Sequence, residues 1–349
     1  MFAKIDIEDF LAQSENHLVI DVRSPKEFAQ AHIPNAISLP LFSDEERAAV
    51  GTLYKQQGRE SAMMLGLKYY GTNMQRIISD LQHQTHDKRL FIHCWRGGMR
   101  SGVVAYMLDL FGYKVSTLNK GYKSFRTTVL ESFSKPKKIL ILGGRTGSAK
   151  TEVIKSLREK NENVIDLEAL AHHKGSAYGG IGESTAPSQE MFENELYMQF
   201  RNMDLAKPVW LEDESQRIGI MNLPNALWDQ MRNAKVIYLE VPFEERLNYL
   251  VKTYGSLPLD ALRSSTLRIQ KRLGGLATKN TLQFLEEKNY ESAFEILLKY
   301  YDKYYERATA QRNPENIETI KFDKIDPENI ADKILTRISS QHKSSSIAV

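Results

Sequence analysis

Cysteine is nearly absent from these 349 residues: Cys94 stands alone. A single thiol cannot close an internal disulfide, nor can it build a zinc site of several thiolates. The scarcity fits a reducing compartment. Long apolar runs are also missing, and none approaches the roughly 20 residues that cross a bilayer. The opening MFAKIDIEDF carries Asp6 and Glu8 where a signal peptide would carry an apolar segment. A cytoplasmic protein without a membrane partner is expected. Charge of one sign is lacking too: 47 Lys and Arg against 44 Asp and Glu leave +3. Any polyanion must therefore be met by a local patch. Hydrophobic residues at 42% and charged residues at 26% are ordinary, which excludes collagen-like, low-complexity and wholly disordered classes. The length predicts two or three domains.

What is present is a pair of α/β patterns in succession, each implying a largely parallel sheet. In the first, residues 17–22 (HLVIDV), a short stretch after Ala36, residues 89–93 (RLFIH) and 114–118 read as strands. Ser24, Pro25 and Glu27 form a helix-start signature. Residues 42–82 read as helical with breaks at Gly51, Gly58, Gly66 and Gly71. The polar, basic SFSKPKK at 132–138 marks a domain boundary. Strands then recur at 138–142, 163–167, 208–212 and 235–241, and from about 257 the pattern turns helical. The expected domains are 1–133, a P-loop-type α/β domain at 137–256, a helical C-terminal extension at 257–338, and a disordered serine-rich tail at 339–349. There is no internal repeat.

The lone cysteine sits in His93-Cys94-Trp95-Arg96-Gly97-Gly98-Met99-Arg100-Ser101, straight after a strand and opening a helix. Successive backbone amides and a helix N-terminus make an anion cradle there. With Arg96 and Arg100 they favour thiolate over thiol. A merely structural buried cysteine is the bland alternative, but Gly-Gly and two arginines are not its usual neighbours. On DVRSPKEF at 21–28, AHIPNAISLP at 31–40 and CWRGGMRS at 94–101, the first domain resembles the rhodanese family. That resemblance implies a cysteine that carries or handles sulfur or a related chalcogen. One departure matters. Five residues separate Cys94 from Arg100, where sulfur-transferring rhodaneses commonly have four and rhodanese-fold phosphatases have five. A wider ring of amides suits a tetrahedral oxyanion, so a phosphate-bearing chalcogen donor is expected at this loop.

A second cradle follows the strand at 138–142. Gly144-Arg145-Thr146-Gly147-Ser148-Ala149-Lys150-Thr151 reads G-x-x-x-x-A-K-T between a strand and a helix, the context a P-loop requires. Its amides would wrap a diphosphate, Lys150 would neutralise it, and Thr151 would reach a phosphate oxygen or a metal such as Mg2+. Ala149 replaces the usual glycine, and its Cβ is expected to crowd the loop. The strand 209–212 ends in Glu212 beside Asp213 and Glu214, and which of these acids serves the loop is open. His172 through Gly180 reads as a substrate-contacting loop. Its adjacent histidines would face opposite ways, so no metal site is expected.

Two basic segments stand out in a balanced chain. Residues 120–138 include Lys120, Lys123 and Arg126, and residues 261–285 include Arg268, Lys271 and Arg272 with no acid. Tyr300, Tyr301, Tyr304 and Tyr305 could stack on unpaired bases or simply pack a helix.

Taken whole, the chain resembles the bacterial tRNA 2-selenouridine synthase family. Further stretches carry the likeness: ERAAVGTLYKQQGRESAMMLGL at 46–67, LNKGYKSFR at 118–126, DLEALAHHKGSAYGG at 166–180, PSQEMFEN at 187–194 and WLEDESQRIG at 210–219. The resemblance implies two reactions on a tRNA wobble base. A 2-thiouridine is S-geranylated with geranyl diphosphate, then selenium from selenophosphate replaces the geranylthio group. It implies no tightly bound cofactor. It assigns Cys94, Arg96 and Arg100 to the selenium step and the 144–151 loop to the diphosphate, and it makes the basic residues candidate tRNA contacts. A rhodanese-fold sulfurtransferase or phosphatase with an NTPase module is the alternative.

Overall fold

The computed structural model describes residues 2–176, 178–182 and 184–346, with side chains described as far as Ser340. It divides into two compact units. One holds the chain up to Ser132 together with Ser188–Met198; the other holds Phe133–Pro187 and the chain from Gln199 onward.

The first unit is built on strands β1 (Ala3–Ile5), β2 (Leu18–Asp21), β3 (Ile37–Ser38), β4 (Arg89–His93) and β5 (Lys114–Leu118). They form a parallel sheet in the order β1-β5-β4-β2-β3, with β4 in the middle. Helices α1 (Ile7–Gln13), α2 (Pro25–Gln30), α3 (Asp44–Gln57), α4 (Arg59–Gln84), α5 (Met99–Leu110) and α6 (Gly121–Ser132) connect them. β4 reads as an unbroken apolar run because both of its faces are covered. Leu90 and Ile92 join Ile20, Ile77, Leu81, Val104 and Leu108 in one cluster, while Phe91 packs edge-on against Phe10. The start of α2 follows its sequence signature: the Ser24 amide donates to Glu27 Oε2 at 3.0 Å, with Pro25 in the first turn. Of the four expected helix breaks only Gly58 is one, at φ +88°; Gly51, Gly66 and Gly71 lie inside α3 and α4. A helix interior tolerates glycine at a cost of about 1 kcal/mol relative to alanine.

Sequence grouping assigns Ser188–Met198 to the second domain, but these residues pack in the first. They belong to helix α9 (Gln189–Arg201). Asn194 Nδ2 donates to the His32 carbonyl and to Tyr122 Oη, both at 2.8 Å, and Phe125 meets Tyr197 edge to face. Buried polar groups that need partners fix this placement.

The second unit contains β6 (Ile139–Gly144), α7 (Lys150–Glu159), β7 (Asn163–Ile165), α8 (Leu167–Leu170), β8 (Val209–Glu212), the short hairpin β9 (Arg217–Ile218) and β10 (Met221–Asn222), α10 (Asn225–Asn233) and β11 (Lys235–Glu240). Then come α11 (Phe243–Tyr254), α12 (Leu259–Arg268), α13 (Gln270–Leu273), α14 (Gly275–Glu286), α15 (Tyr290–Ala310), β12 (Ile317–Lys321) and α16 (Pro327–Ser346). The C-terminal region is thus not wholly helical. β12 pairs parallel with β11 from Val236↔Ile317 to Glu240↔Lys321 and completes a parallel sheet ordered β12-β11-β6-β8-β7. Its sequence IETIK is half-exposed at a sheet edge, so no buried apolar run announces it. α16 closes over the sheet with Ile330, Ala331 and Ile334. The backbone of the serine-rich segment is helical to Ser346, and 347–349 lie outside the described residues. α11, α12, α14 and α15 share a separate apolar cluster around Leu250, Leu262, Leu285 and Phe294. Among the described residues no helix is long and apolar enough to cross a membrane.

Candidate active sites

Each unit carries one glycine-bearing loop at the C-terminal end of its central strand, where open parallel sheets commonly bind ligands. In the first unit, β4 delivers Cys94, which is only 3% exposed. Its Sγ lies 3.2 Å from Ser101 Oγ in the first turn of α5. The Cys94 and Trp95 carbonyls accept from the amides of Tyr122 and Lys123 at 2.8 and 3.0 Å, so the loop is stapled to the start of α6. No described acceptor takes the amide hydrogens of Arg96, Gly97 or Gly98. Gly97 (φ +58°) and Gly121 (φ +59°) make this contact possible. A Cβ on Gly97 would strike the Leu118 carbonyl, and one on Gly121 the Cys94 carbonyl.

The two arginines take different positions. Arg96 is exposed at the loop tip. Arg100 Nη1 donates to Glu27 Oε2 at 2.7 Å, and Arg47 approaches the same carboxylate at 3.7 Å. Burial alone would raise the Glu27 pKa, but hydrogen bonding and charge from Arg100 outweigh it and hold the carboxyl below its ordinary value. His93, fully buried behind the thiol with neither ring nitrogen hydrogen-bonded, is pushed down to about 4 by burial. It is therefore neutral and adds no charge to the cradle.

Sequence reasoning missed the scaffold beneath this loop. Arg23 is 1% exposed, clasps Asp21 through Nε and Nη2 at 2.7–3.0 Å, and lays its guanidinium 3.8 Å from the centre of the Tyr122 ring. Tyr122 Oη in turn donates to Glu190 Oε1 at 2.7 Å. The DVR and KGY stretches thus meet in one buried column. Arg126, a candidate tRNA contact, is committed to neighbours within its own unit. It is 15% exposed and engaged by Glu193 at 2.6 Å, Asn194 at 2.5 Å and Glu190 at 3.6 Å. Lys120 and Lys123 stay exposed at the start of α6.

In the second unit the glycine-rich loop links β6 to α7 as expected. Gly144 (φ +155°) and Gly147 (φ +82°) take conformations open to glycine, and Ala149 is left-handed at φ 56°, ψ 33°. Ala149 therefore carries backbone strain, about 1–2 kcal/mol for a residue with a Cβ. Lys150 Nζ donates to the Gly144 carbonyl at 2.9 Å and lies 5.1 Å from the Tyr305 ring. Thr151 Oγ1 donates to Glu168 Oε2 at 3.0 Å. Arg145 pairs with Glu306 at 3.0 Å. Ser148 Oγ is buried and has no hydrogen-bond partner among the described residues. From the far side Arg246, 2% exposed, donates to the Thr146 carbonyl at 3.1 Å while forming a bidentate pair with Asp302 at 2.8 and 2.9 Å.

The acids after β8 separate by role. Asp213 pairs with Arg312 at 2.5 Å. Glu212 is buried with no partner for either oxygen among the described residues, and burial raises its pKa well above the ordinary carboxylate value. Glu214 is pushed up to about 8, by burial first and by Glu168 second. Glu168 is also raised, chiefly by burial, though Lys150 opposes the shift. A Cβ on Gly175 would lie 2.6 Å from Glu168 and 2.8 Å from Glu214, so the backbone at Gly175 lies against these two acids. His172 Nδ1 lies 2.8 Å from the Thr185 carbonyl, and His173 packs against Gly219. Among the described residues no group of three or more His, Cys, Asp or Glu is arranged to hold a metal. Arg268, Lys271 and Arg272 are exposed on α12 and α13, where Arg268 Nη2 donates to Ser265 Oγ at 2.6 Å. The tyrosines divide: Tyr301 joins the helical core, Tyr300 meets Tyr301 edge to face and Tyr304 at a tilt, and Tyr304 is exposed.

A thiol loop on a rhodanese-type sheet and a lysine loop on a P-loop-type sheet define the class of a two-domain α/β transferase. Residues 6–128 match the rhodanese-like domain model, and residues 137–326 match the model described as the tRNA 2-selenouridine synthase AAA domain. This chain belongs to the tRNA 2-selenouridine synthase family. It is 34% identical over 330 residues to the tRNA 2-selenouridine synthase of Shewanella denitrificans, covering 84% of this chain and 89% of that one. With the Proteus mirabilis synthase it shares 32% over 342 residues, covering 88% and 93%. With the Nitrosomonas europaea synthase it shares 37% over 244 residues, covering 68% of this chain and 63% of that relative.

Proposed function

We propose that this chain converts 2-thiouridine at the wobble position of tRNA to 2-selenouridine in two steps, one at each loop. In the first, the sulfur of 2-thiouridine attacks C1 of geranyl diphosphate. The C1–O bond breaks, diphosphate leaves with the electron pair, and the base loses its N3 proton. The amides of residues 144–148 and the Lys150 ammonium would bind the leaving diphosphate and stabilise its developing charge. A Mg2+ travelling with the diphosphate would find a ligand in the Thr151 hydroxyl, and no step here is routed through it.

In the second step selenium of selenophosphate attacks C2 of the base. The C2–S bond breaks, and sulfur leaves with its electron pair and takes up a proton as geranylthiol. Water then cleaves the Se–P bond to release phosphate. The amides of residues 96–98 with Arg96 and Arg100 would hold the phosphate of the selenium donor, with Cys94 at the floor of the loop. Lys120, Lys123, Arg268, Lys271 and Arg272 would touch the tRNA backbone, which positions the base without reading sequence. A cytoplasmic setting and a selenophosphate supply follow from this reading.

The observation that carries it is the presence in one chain of both loops, each with its charged residue at the open end of a central strand. The test incubates thiolated tRNA with geranyl diphosphate, then with selenophosphate, and follows the wobble nucleoside by mass spectrometry. Lys150→Ala is expected to abolish geranylation. Cys94→Ser is expected to abolish selenation while geranylation persists. Loss of geranylation in both variants, or in neither, overturns the division of labour.

A further inference from the structure

In the first unit, α3, α4 and the first turn of α5 enclose an apolar groove of about 410 Å3. That volume lies within the ~300–1,000 Å3 of small-molecule sites. Met63, Leu67, Met99 and Val103 line it while remaining 41–63% exposed. Clustered apolar exposure of this kind marks a binding surface rather than scattered surface residues. α3 contributes no fully buried residue, so its inner face borders the groove instead of completing a core. Gly66 opens the floor: a Cβ there would come within 3.5 Å of the Phe42 ring.

Three features select the occupant. The groove is continuous with the thiol loop, because Met99, Arg100 and Val103 line it and Ser101 on the same turn lies 3.2 Å from Cys94 Sγ. Its polar end holds two guanidiniums, Arg47 and Arg100, against the single carboxylate of Glu27. Two methionines, Met63 and Met99, stand in its walls, and their unbranched, polarisable side chains adapt to irregular flexible shapes. A ligand that fits is an amphiphile with an acyclic hydrocarbon chain attached close to phosphate.

We propose that this groove binds the ten-carbon chain of the S-geranylated nucleotide during the selenium step, holding the geranylthio leaving group beside the Cys94 loop. The inference rests on the two-step reading above. It assigns the bulky alkyl group a purpose: the chain is the handle by which the second site recognises its substrate and rejects unmodified 2-thiouridine.

The test uses the full-length protein with anticodon stem-loop RNAs carrying S-geranyl- or S-methyl-2-thiouridine, selenophosphate and nucleoside mass spectrometry. The double variant Met63→Ser/Leu67→Ser changes only exposed side chains, and its thermal midpoint is expected to match wild type. Its KM for the geranylated RNA should rise at least tenfold, with KM for the methylated RNA and geranylation of thiolated tRNA unchanged. Gly66→Leu, which fills the floor, should act the same way. If wild type fails to convert the geranylated RNA at all, the two-step reading falls. If wild type converts it and both variants retain wild-type KM, the groove proposal alone falls. It also falls if the variants lose geranylation but not selenation, which would assign the groove to geranyl diphosphate. Altered self-association with unchanged kinetics would make it an interface between copies and overturn the proposal.

Discussion

Removal of the Asp302 carboxylate should destabilise the second unit and loosen its phosphate loop together. Arg246 is 2% exposed, and its guanidinium is held by both Asp302 oxygens and by the Thr146 and Val241 carbonyls. Deleting one partner of a buried pair costs about 3–5 kcal/mol, because the remaining charge is stranded. Asp302 is itself 14% exposed and two carbonyl bonds survive, so about 2–4 kcal/mol is expected for Asp302→Ala. At a urea slope of about 2 kcal/mol/M the midpoint falls by about 1–2 M. Asp302→Asn keeps the shape and one hydrogen bond, and should recover about 1 kcal/mol. Tryptophan fluorescence suits the assay, because Trp210 and Trp228 report on this unit and only Trp95 on the other. With the carboxylate gone, the guanidinium that holds the Thr146 carbonyl is itself no longer fixed by a bidentate partner, and binding of inorganic pyrophosphate should weaken at least fivefold. A stability loss under about 1 kcal/mol with unchanged pyrophosphate affinity would refute the reasoning.

The carboxyls around Lys150 predict a pH response. Glu214 is raised to about 8 and Glu168 is raised with it, so the folded state holds protons that the unfolded chain releases above its ordinary carboxylate value. Urea stability of this unit should therefore fall as pH rises toward about 8 and then level off. Pyrophosphate binding should weaken further as Glu214 ionises, and Glu214→Gln should flatten both profiles in titrations between pH 6 and 9. The left-handed backbone of Ala149 gives a third expectation. Ala149→Gly should stay within about 1 kcal/mol of wild type, because relief of strain is offset by greater freedom in the unfolded chain. Ala149→Val, β-branched at positive φ, should lose pyrophosphate binding in calorimetry.

Both loops were legible because their chemistry is contiguous in the chain: strand, turn residues, functional side chain, helix. Cys94 to Ser101 and Gly144 to Thr151 each state strand end, anion cradle and charge within eight residues. What supports them was not legible, since it arises from pairs far apart. Glu27 and Arg100 are 73 residues apart, and Arg246 and Asp302 are 56 apart. No local pattern distinguishes such residues from solvated charges. Arg126 shows the same limit from the other side. As a base in a basic segment it read as a tRNA contact, and only the packing of Glu190 and Glu193 from α9 reveals its internal use. Short or edge strands escaped for another reason: β1 has three residues, and β12 is half-exposed, so neither shows the buried apolar run that marked β4 and β6.

The two loops are built on opposite electrostatic arrangements. The thiol loop keeps Arg96 exposed and sets Arg100 and Arg47 against one ionised carboxylate, with a neutral histidine behind. Positive charge there exceeds negative at any pH between the Glu27 and arginine titrations. The lysine loop instead sets one ammonium among Glu168, Glu212 and Glu214, whose pKa values burial raises, and that shift toward the uncharged form is what would make the site compatible with a diphosphate. On the proposed reaction, a diphosphate entering that site would strengthen the proton hold of the acids, and their ionisation would favour its release. The first site has no such internal counterweight. Nor does the chain offer a second thiol, so any selenium or sulfur attached to Cys94 would have to leave to substrate or to an external thiol. Cys94 Sγ is nearly sealed from solvent beside Ser101, which favours release to a substrate already seated in the loop.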